Sequence, residues 1–310
     1  MSAAITSTEP SRRKRVVSAR TPTRLRIREI WHYRELLVGL VRKELKVKYK
    51  NSVLGFFWSM LNPALTLVVF YVVFQIFLKS GIPNFAIYLL SALLAWNLFS
   101  TGLPGATTSV VSNAALVKKV AFPREILAIS SVGAALVHFF LQSIVLVLAL
   151  LIFRYPVSGK FMVLVPVALV VLLMLTTALG VLLAAVNVYL RDTQHLLELA
   201  LLAWFWMTPI VYQYRLVADK LDGKQWIMFL NPLTAITVSF QRAIYNKVDA
   251  PSSGASRGAL GGTTIHILPA TDSVFWYLER LAIVGVASVV LFVVAMAVFG
   301  RLEGNFAEEL

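Results

Sequence analysis

Cysteine is absent from the 310 residues, which excludes disulfides, thiolate nucleophiles and cysteine-based metal sites and leaves the redox compartment open. Histidine is scarce: His32, His138, His195 and His266 lie far apart, and no His-Glu-x-x-His motif joins them. No phosphate-cradling Gly-x-x-x-x-Gly-Lys-Ser/Thr occurs either; Gly159-Lys160 and Gly223-Lys224 lack both the earlier glycine and the hydroxyl residue. Any ATP this protein consumes must therefore be hydrolysed on another chain. There is no convincing internal repeat, which argues against a transporter built from inverted halves. A signal peptide is not visible, because no apolar core closely follows the basic start. Charge is thin, at 14% of residues against roughly 25% in soluble domains.

What is present is apolar surface. Hydrophobic residues make up 58% of the chain, too many to hide in one water-facing globule, so lipid must cover much of them. Six apolar runs have about the ~20 residues a bilayer crossing needs. They are Phe57–Leu78, Phe85–Val111, Ile126–Phe153, Phe161–Tyr189, Leu196–Tyr214 and Val274–Phe299. The expected fold is an all-α membrane bundle over residues 56–305.

The formal net charge of +14 is concentrated before the first run: 14 of the 29 Lys and Arg fall in residues 1–50. With no nucleic-acid fold or aromatic platform beside it, this basicity points to the positive-inside bias and to anionic lipid, not to nucleic acid. The loop after the first run holds only Lys79, while Ser112–Glu125 carries Lys118, Lys119 and Arg124. An even number of crossings then places both termini, including the short end 306–310, on the cytoplasmic side.

Residues 1–28 read as a disordered basic tail. Residues 29–55 turn two-faced, with Trp31, Leu36, Leu37, Leu40, Val41 and Leu45 set against Arg34, Arg42, Lys43, Lys46 and Lys50. Such a helix suits the interface plane of the membrane; the alternative is packing on the bundle itself. The long outer connection 215–273 contains two apolar pieces, Trp226–Leu230 and Leu233–Ile244, separated by Asn231-Pro232 and each too short to span. A re-entrant hairpin there requires protein or a wet cavity to shield its backbone. The Gly- and Ser-rich stretch 249–264 reads as flexible loop.

Candidate functional residues have two readings each. Leu116, Lys118, Lys119, Val120, Phe122, Pro123, Arg124 and Glu125 form either a loop that fixes topology or a short helix docking on a soluble partner. Trp96, Phe99, Trp204, Phe205, Trp206, Tyr212 and Tyr214 are interface anchors, or ring faces on which sugars stack. His138, inside a span, reads as hydrogen-bonded within the bundle. Glu198 reads as an inner-interface residue, and Glu279 with Arg280 as an ion pair or anchor near the outer end.

Five stretches, in order, resemble one family. They are Leu45 to Gly55 followed by Trp58 and Leu61-Asn62-Pro63; Leu90 to Phe99; Val111 to Glu125; Val188-Tyr189-Leu190-Arg191-Asp192; and Leu230-Asn231-Pro232-Leu233-Thr234. Together they are similar to the membrane subunits of type-2 ABC exporters for polysaccharide, the O-antigen and teichoic-acid permeases, over about residues 35–305. The resemblance implies a homodimer of six-helix subunits joined to two copies of a separate ATPase. ATP and Mg would then sit in the partner, with no cofactor in this chain. It implies that Leu116–Glu125, with Arg191 and Asp192 nearby, couples to the ATPase. It also implies that the pieces around Trp226–Leu230 and Leu233–Tyr245 are outer gate helices, with Asn231, Pro232 and Tyr245 as candidate gate residues. The substrate implied is an undecaprenyl-diphosphate-linked glycan moved from the inner to the outer face of the cell membrane. The basic tail and the 249–264 insertion depart from the family pattern. Long basic N-termini resemble actinobacterial members, which implies cell-wall galactan.

Two other classes compete. A membrane glycosyltransferase or polymerase needs catalytic acids or bases converging on a cavity, and Asp219, Asp222 and Asp272 form no such motif. An ion- or proton-driven transporter usually carries charges along its mid-membrane helices, and these spans are nearly free of them.

Overall fold

The computed structural model describes residues 29–50, 52, 55, 57–221, 223–251 and 264–310. The expected basic tail, Asn51, Val53, Leu54 and the middle of the Gly-rich insertion lie outside the described residues.

The described residues are mostly helical. Helix α1 (Arg34–Lys48) precedes α2 (Phe57–Tyr71), which a π-helical stretch prolongs to Phe77. Then come α3 (Phe85–Ser112), the short α4 (Ala114–Lys119), α5 (Glu125–Ile152), α6 (Leu164–Tyr189) and α7 (Thr193–Met207). The outer connection contributes α8 (Tyr214–Ala218), a 3₁₀ stretch Gln225–Leu230 and α9 (Pro232–Ile244); α10 (Val274–Leu302) and α11 (Phe306–Glu309) end the chain. Asp249–Pro251 (β1) pairs antiparallel with Thr264–His266 (β2), with Asp249 opposite His266, so the ends of the expected flexible loop form a small ribbon.

Among the described residues, five helices are long and apolar enough to cross a membrane: Phe57–Phe77, Phe85–Ser112, Glu125–Ile152, Gly159–Tyr189 and Val274–Asn305. The expected run Leu196–Tyr214 differs. Its helix α7 has 15 residues and stops at Met207. Thr208 is extended (φ −103°, ψ 133°) because the following Pro209 disfavours the helical region for the residue before it. At 1.5 Å per residue α7 reaches about 22 Å, short of a ~30 Å hydrocarbon core.

Helix α3 is the axis of the molecule. Every residue from Phe85 to Trp96 is buried, and α5, α6 and α9 pack around it. Small residues allow the closest approaches. A Cβ on Gly180 of α6 would lie 2.6 Å from the Ala106 Cβ of α3, and one on Gly133 of α5 would lie 2.9 Å from Val41 of α1. The faces turned away from this core are apolar: Leu65, Val68 and Val69 on α2, Ile144, Val147 and Leu148 on α5, and Ile283, Val286 and Val290 on α10 are exposed. Such broad apolar exposure on long helices is the surface of a protein solvated by lipid.

The apolar stripe of α1 meets protein. Leu40 is buried, Leu36 and Leu37 pack against the same cluster as Val132 and Phe299, and the Ser131 hydroxyl donates to the Glu44 carboxylate at 2.7 Å. The helix thus docks on α5 and leaves Arg42, Lys43, Lys46 and Lys48 outward.

Loop contacts sort the turns into two ends. At one, Arg124 Nη1 donates to the Glu303 carbonyl at 2.5 Å and the Tyr189 hydroxyl to the Leu302 carbonyl at 2.8 Å. At the other, the Tyr155 hydroxyl donates to the Tyr245 carbonyl at 2.6 Å, and Tyr245 to the Pro83 carbonyl at 2.8 Å. The Tyr88 hydroxyl there donates to the Tyr212 carbonyl at 2.6 Å, and Lys160 to the Asp272 carbonyl at 2.7 Å. Between Tyr189 and Tyr212 the chain therefore passes from the first end to the second, carried by α7 and the buried irregular segment 208–211.

Candidate functional site

The first-end cluster is built around α4. Asn113 is both the C-cap of α3 and the N-cap of α4, so a single residue separates a 28-residue helix from the short one. Lys43 of α1 donates to the Asn113 side-chain carbonyl at 2.6 Å. Val117 is buried and Leu116 and Phe122 are half-buried, packed on the helices behind them, whereas Lys118, Lys119 and Val120 face outward. Arg124 reaches the Glu303 carbonyl and lies 5.8 Å from the Phe306 ring centre, and Glu125 is buried at the head of α5. Arg191 and Asp192 stand exposed in the loop before α7. The structure thus brings together the whole 116–125 set on a firm base, with two cations and one valine presented.

Above this base, Glu44 is pushed up from the ordinary carboxylate range by burial, an effect partly offset by its hydrogen bonds from Ser131 and Ser130. His138 Nδ1 lies 3.0 Å from the Ser59 hydroxyl and 3.1 Å from that of Tyr49, so this histidine is hydrogen-bonded inside the bundle.

The aromatic candidates divide. Trp96, Phe99, Trp204, Phe205 and Trp206 meet at the α3–α7 contact, with ring centres of 5.3 Å for Trp96–Phe205, 5.1 Å for Phe99–Trp204 and 5.5 Å for Phe205–Trp206. Phe70 of α2 stacks on Phe205 at 5.8 Å. Trp96 and Phe99 are buried in this stack, so they cannot offer a face to a sugar, whereas Trp206 is exposed. Tyr212 is half-buried, and its hydroxyl donates to the Trp206 carbonyl at 3.1 Å. Tyr214 belongs elsewhere, buried with Phe229 and Trp276 under Arg280.

The outer set centres on Asn231. Its side-chain oxygen accepts from Leu233 N at 3.0 Å and from Trp204 Nε1 at 2.8 Å, while its amide donates to the Thr208 hydroxyl at 2.9 Å. It caps α9, with Pro232 at the first turn, and ties that helix to the end of α7. All of Leu233–Ile244 is buried, so α9 enters the bundle with its backbone shielded by protein, the condition a re-entrant piece requires. Tyr245, fully buried, is held by Tyr155, Pro83 and Tyr88.

Sequence reasoning missed Arg242. Its side chain is 4% exposed, bonds Asp272 at 2.5 Å and lies 4.2 Å from the Phe161 ring centre. A lone arginine in the apolar piece Leu233–Ile244 was the available signal.

Residues 35–245 match the family described as ABC-2 type transporter. The chain belongs to this family. Its curated relatives include an O-antigen export system permease protein RfbA of Myxococcus xanthus, 35% identical over 250 residues, covering 80% of this chain and 94% of the relative. Another, of the same description, is from Klebsiella pneumoniae, 27% identical over 276 residues, covering 89% of this chain and 95% of the relative. As an ABC-2 family member the chain is a multi-pass membrane permease. The matched region holds α1 through α9, and with them the α4 base and the Asn231 hub.

Proposed function

We propose that this chain is the transmembrane subunit of an ATP-driven exporter that moves a lipid-linked polysaccharide from the inner to the outer face of the cell membrane. It would act as a homodimer with two copies of a separate ATPase. The family match and the export role in the relatives' names support the class. The observation that carries the mechanism is the α4 base: an exposed, cationic turn seated without slack between two long helices.

In this reading the α4 end is cytoplasmic and α7 with segment 208–211 completes a sixth crossing, leaving both termini inside. Force applied to α4 by a closing ATPase dimer passes through Asn113 to α3, through Lys43 to α1, and through Arg124 to the end of α10. ATP drives transport only if its bound state favours one bundle arrangement over the other. On the far side, Asn231, Pro232 and Tyr245 hold the re-entrant α9 as the outer gate. Trp206, half-buried Trp204 and Phe205, and Tyr212 are the aromatic faces left for the glycan path.

Val120→Asp tests the coupling assignment, because Val120 is 49% exposed and its replacement leaves the core intact. The variant is expected to insert in the membrane and lose co-purification with its partner ATPase. Undiminished co-purification would remove α4 as the docking element. Leu116→Asp and Phe122→Asp are less clean, since both side chains also pack on the helices behind α4.

A further inference from the structure

Residues 303–310 lie beyond the region matched to the family, yet they are built into the α4 end of the molecule. Helix α10 stops at Leu302, where its last carbonyls have no partner within the helix. Two side chains reach them from elsewhere. The Tyr189 hydroxyl, at the end of α6, donates to the Leu302 carbonyl at 2.8 Å, and Arg124 Nη1, at the head of α5, donates to the Glu303 carbonyl at 2.5 Å. The arginine charge also suits the negative end of the α10 dipole. A 3₁₀ turn over Glu303–Asn305 then sets Phe306 back against the bundle, 0% exposed, with its ring centre 5.3 Å from that of Phe299 and 6.0 Å from that of Tyr189. The Arg124 guanidinium lies 5.8 Å from the same ring. Helix α11 touches α4 itself. Leu116, Val117 and Phe122 pack in one apolar cluster with Phe306 and Leu310.

We propose that residues 303–310 brace the coupling turn, with Phe306 as the positioning residue that seats Arg124 and sets the height of α4. The turn needs such support. Helix α4 has six residues, too few to hold a helix by themselves, so its shape is set by what lies beneath it. A thrust on α4 reaches α10 only through groups that do not yield, and a close-packed interior transmits a displacement that a void would absorb. Phe306 is the one ring shared by the end of α6, the end of α10 and Arg124. Without it, α4 keeps its exposed Lys118, Lys119 and Val120 but loses the floor under them. The inference rests on the coupling reading of α4 and adds the element that makes that turn stiff.

The test uses the detergent-solubilised full-length chain, which has no cysteine of its own. Val117→Cys, at a position 3% exposed, reports on α4, and Ala95→Cys, at a position 0% exposed, reports on the middle of α3. Maleimide should label both slowly when Phe306 is present. Phe306→Ala should speed labelling of Val117→Cys about tenfold or more, because losing a buried ring loosens the closure that shields it, and leave Ala95→Cys slow. Arg124→Gln should speed the same reporter, and the two changes together should do no more than Phe306→Ala alone, as partners in one contact do. Phe306→Leu keeps most of the volume and should give a smaller acceleration, again confined to Val117→Cys; it carries the test if Phe306→Ala opens Ala95→Cys as well. An unchanged rate at Val117→Cys in the folded variant, or additive effects of the Arg124 and Phe306 changes, would overturn the proposal. In complex with the ATPase, Phe306→Ala should return turnover to that of the ATPase alone with KM for ATP unchanged; turnover kept at the wild-type value would overturn it too. A wild-type complex that turns over no differently from the free ATPase would sink the coupling reading of α4, while the labelling result would still decide the brace.

Discussion

Asn231 joins three segments through one amide: it caps α9, receives the indole of Trp204 and holds the hydroxyl of Thr208. Glu44 does comparable work at the other end, where it accepts from Ser131 and Ser130 between α1 and α5. Burial raises its pKa above the ordinary carboxylate value. The protonated form therefore fits the folded site better, and that contribution is complete below the ordinary value and lost as the pH rises through the raised one. Glu44→Gln keeps the shape and an acceptor oxygen while removing the charge. The variant is expected to melt at a higher temperature than wild type at about pH 8 and at the same temperature near about pH 4. Thermal melts of the detergent-solubilised protein check this, and a lower Tm for the variant at the higher pH would refute it.

Helices here are placed by what their neighbours allow. The α3–α6 contact depends on Gly180, whose missing side chain lets Ala106 approach to a distance no real Cβ tolerates. Gly180→Val should force the helices apart at a cost of about 1–3 kcal/mol, the usual penalty of overpacking, and lower Tm accordingly. An unchanged Tm would mean that the two helices can separate at that level without loss. Helix α7 shows the opposite case, in which a local rule overrides an apolar run. Leu196–Tyr214 is apolar enough to read as one span, yet Pro209 ends the helix two residues earlier, at Met207. The short helix then relies on Asn231 and on the Phe70–Phe205–Trp96 stack to fix its outer end.

For the whole molecule the decisive quantity is the number of crossings. The pairing of Arg124 with Glu303 puts the start of α5 and the end of α10 at one end, and Lys160 with Asp272 puts the start of α6 and of α10 at the other. The proposed six passes would satisfy both pairings, with α7 as the short one. A chain without cysteine makes this directly measurable, since single cysteines can be introduced with no background. On intact cells a membrane-impermeant maleimide should label Lys220→Cys and leave Lys119→Cys and Glu308→Cys unlabelled until the membrane is opened. Labelling of Glu308→Cys from outside would mean an odd number of crossings.

The lipid solvent of this chain and the position of five long helices were legible without coordinates. Hydrophobic run length answers to bilayer thickness, and charge bias answers to membrane orientation, and both are local properties of a sequence. The remainder depended on which side chains meet across helices. Trp96 and Phe99 are buried in an aromatic stack, Arg242 finds its counter-ion 30 residues away, and Leu36, Leu37 and Leu40 of α1 pack on the bundle. Apolar residues look alike to a periodicity whether they face lipid or protein, because both surroundings are equally free of water. Only packing tells the two apart.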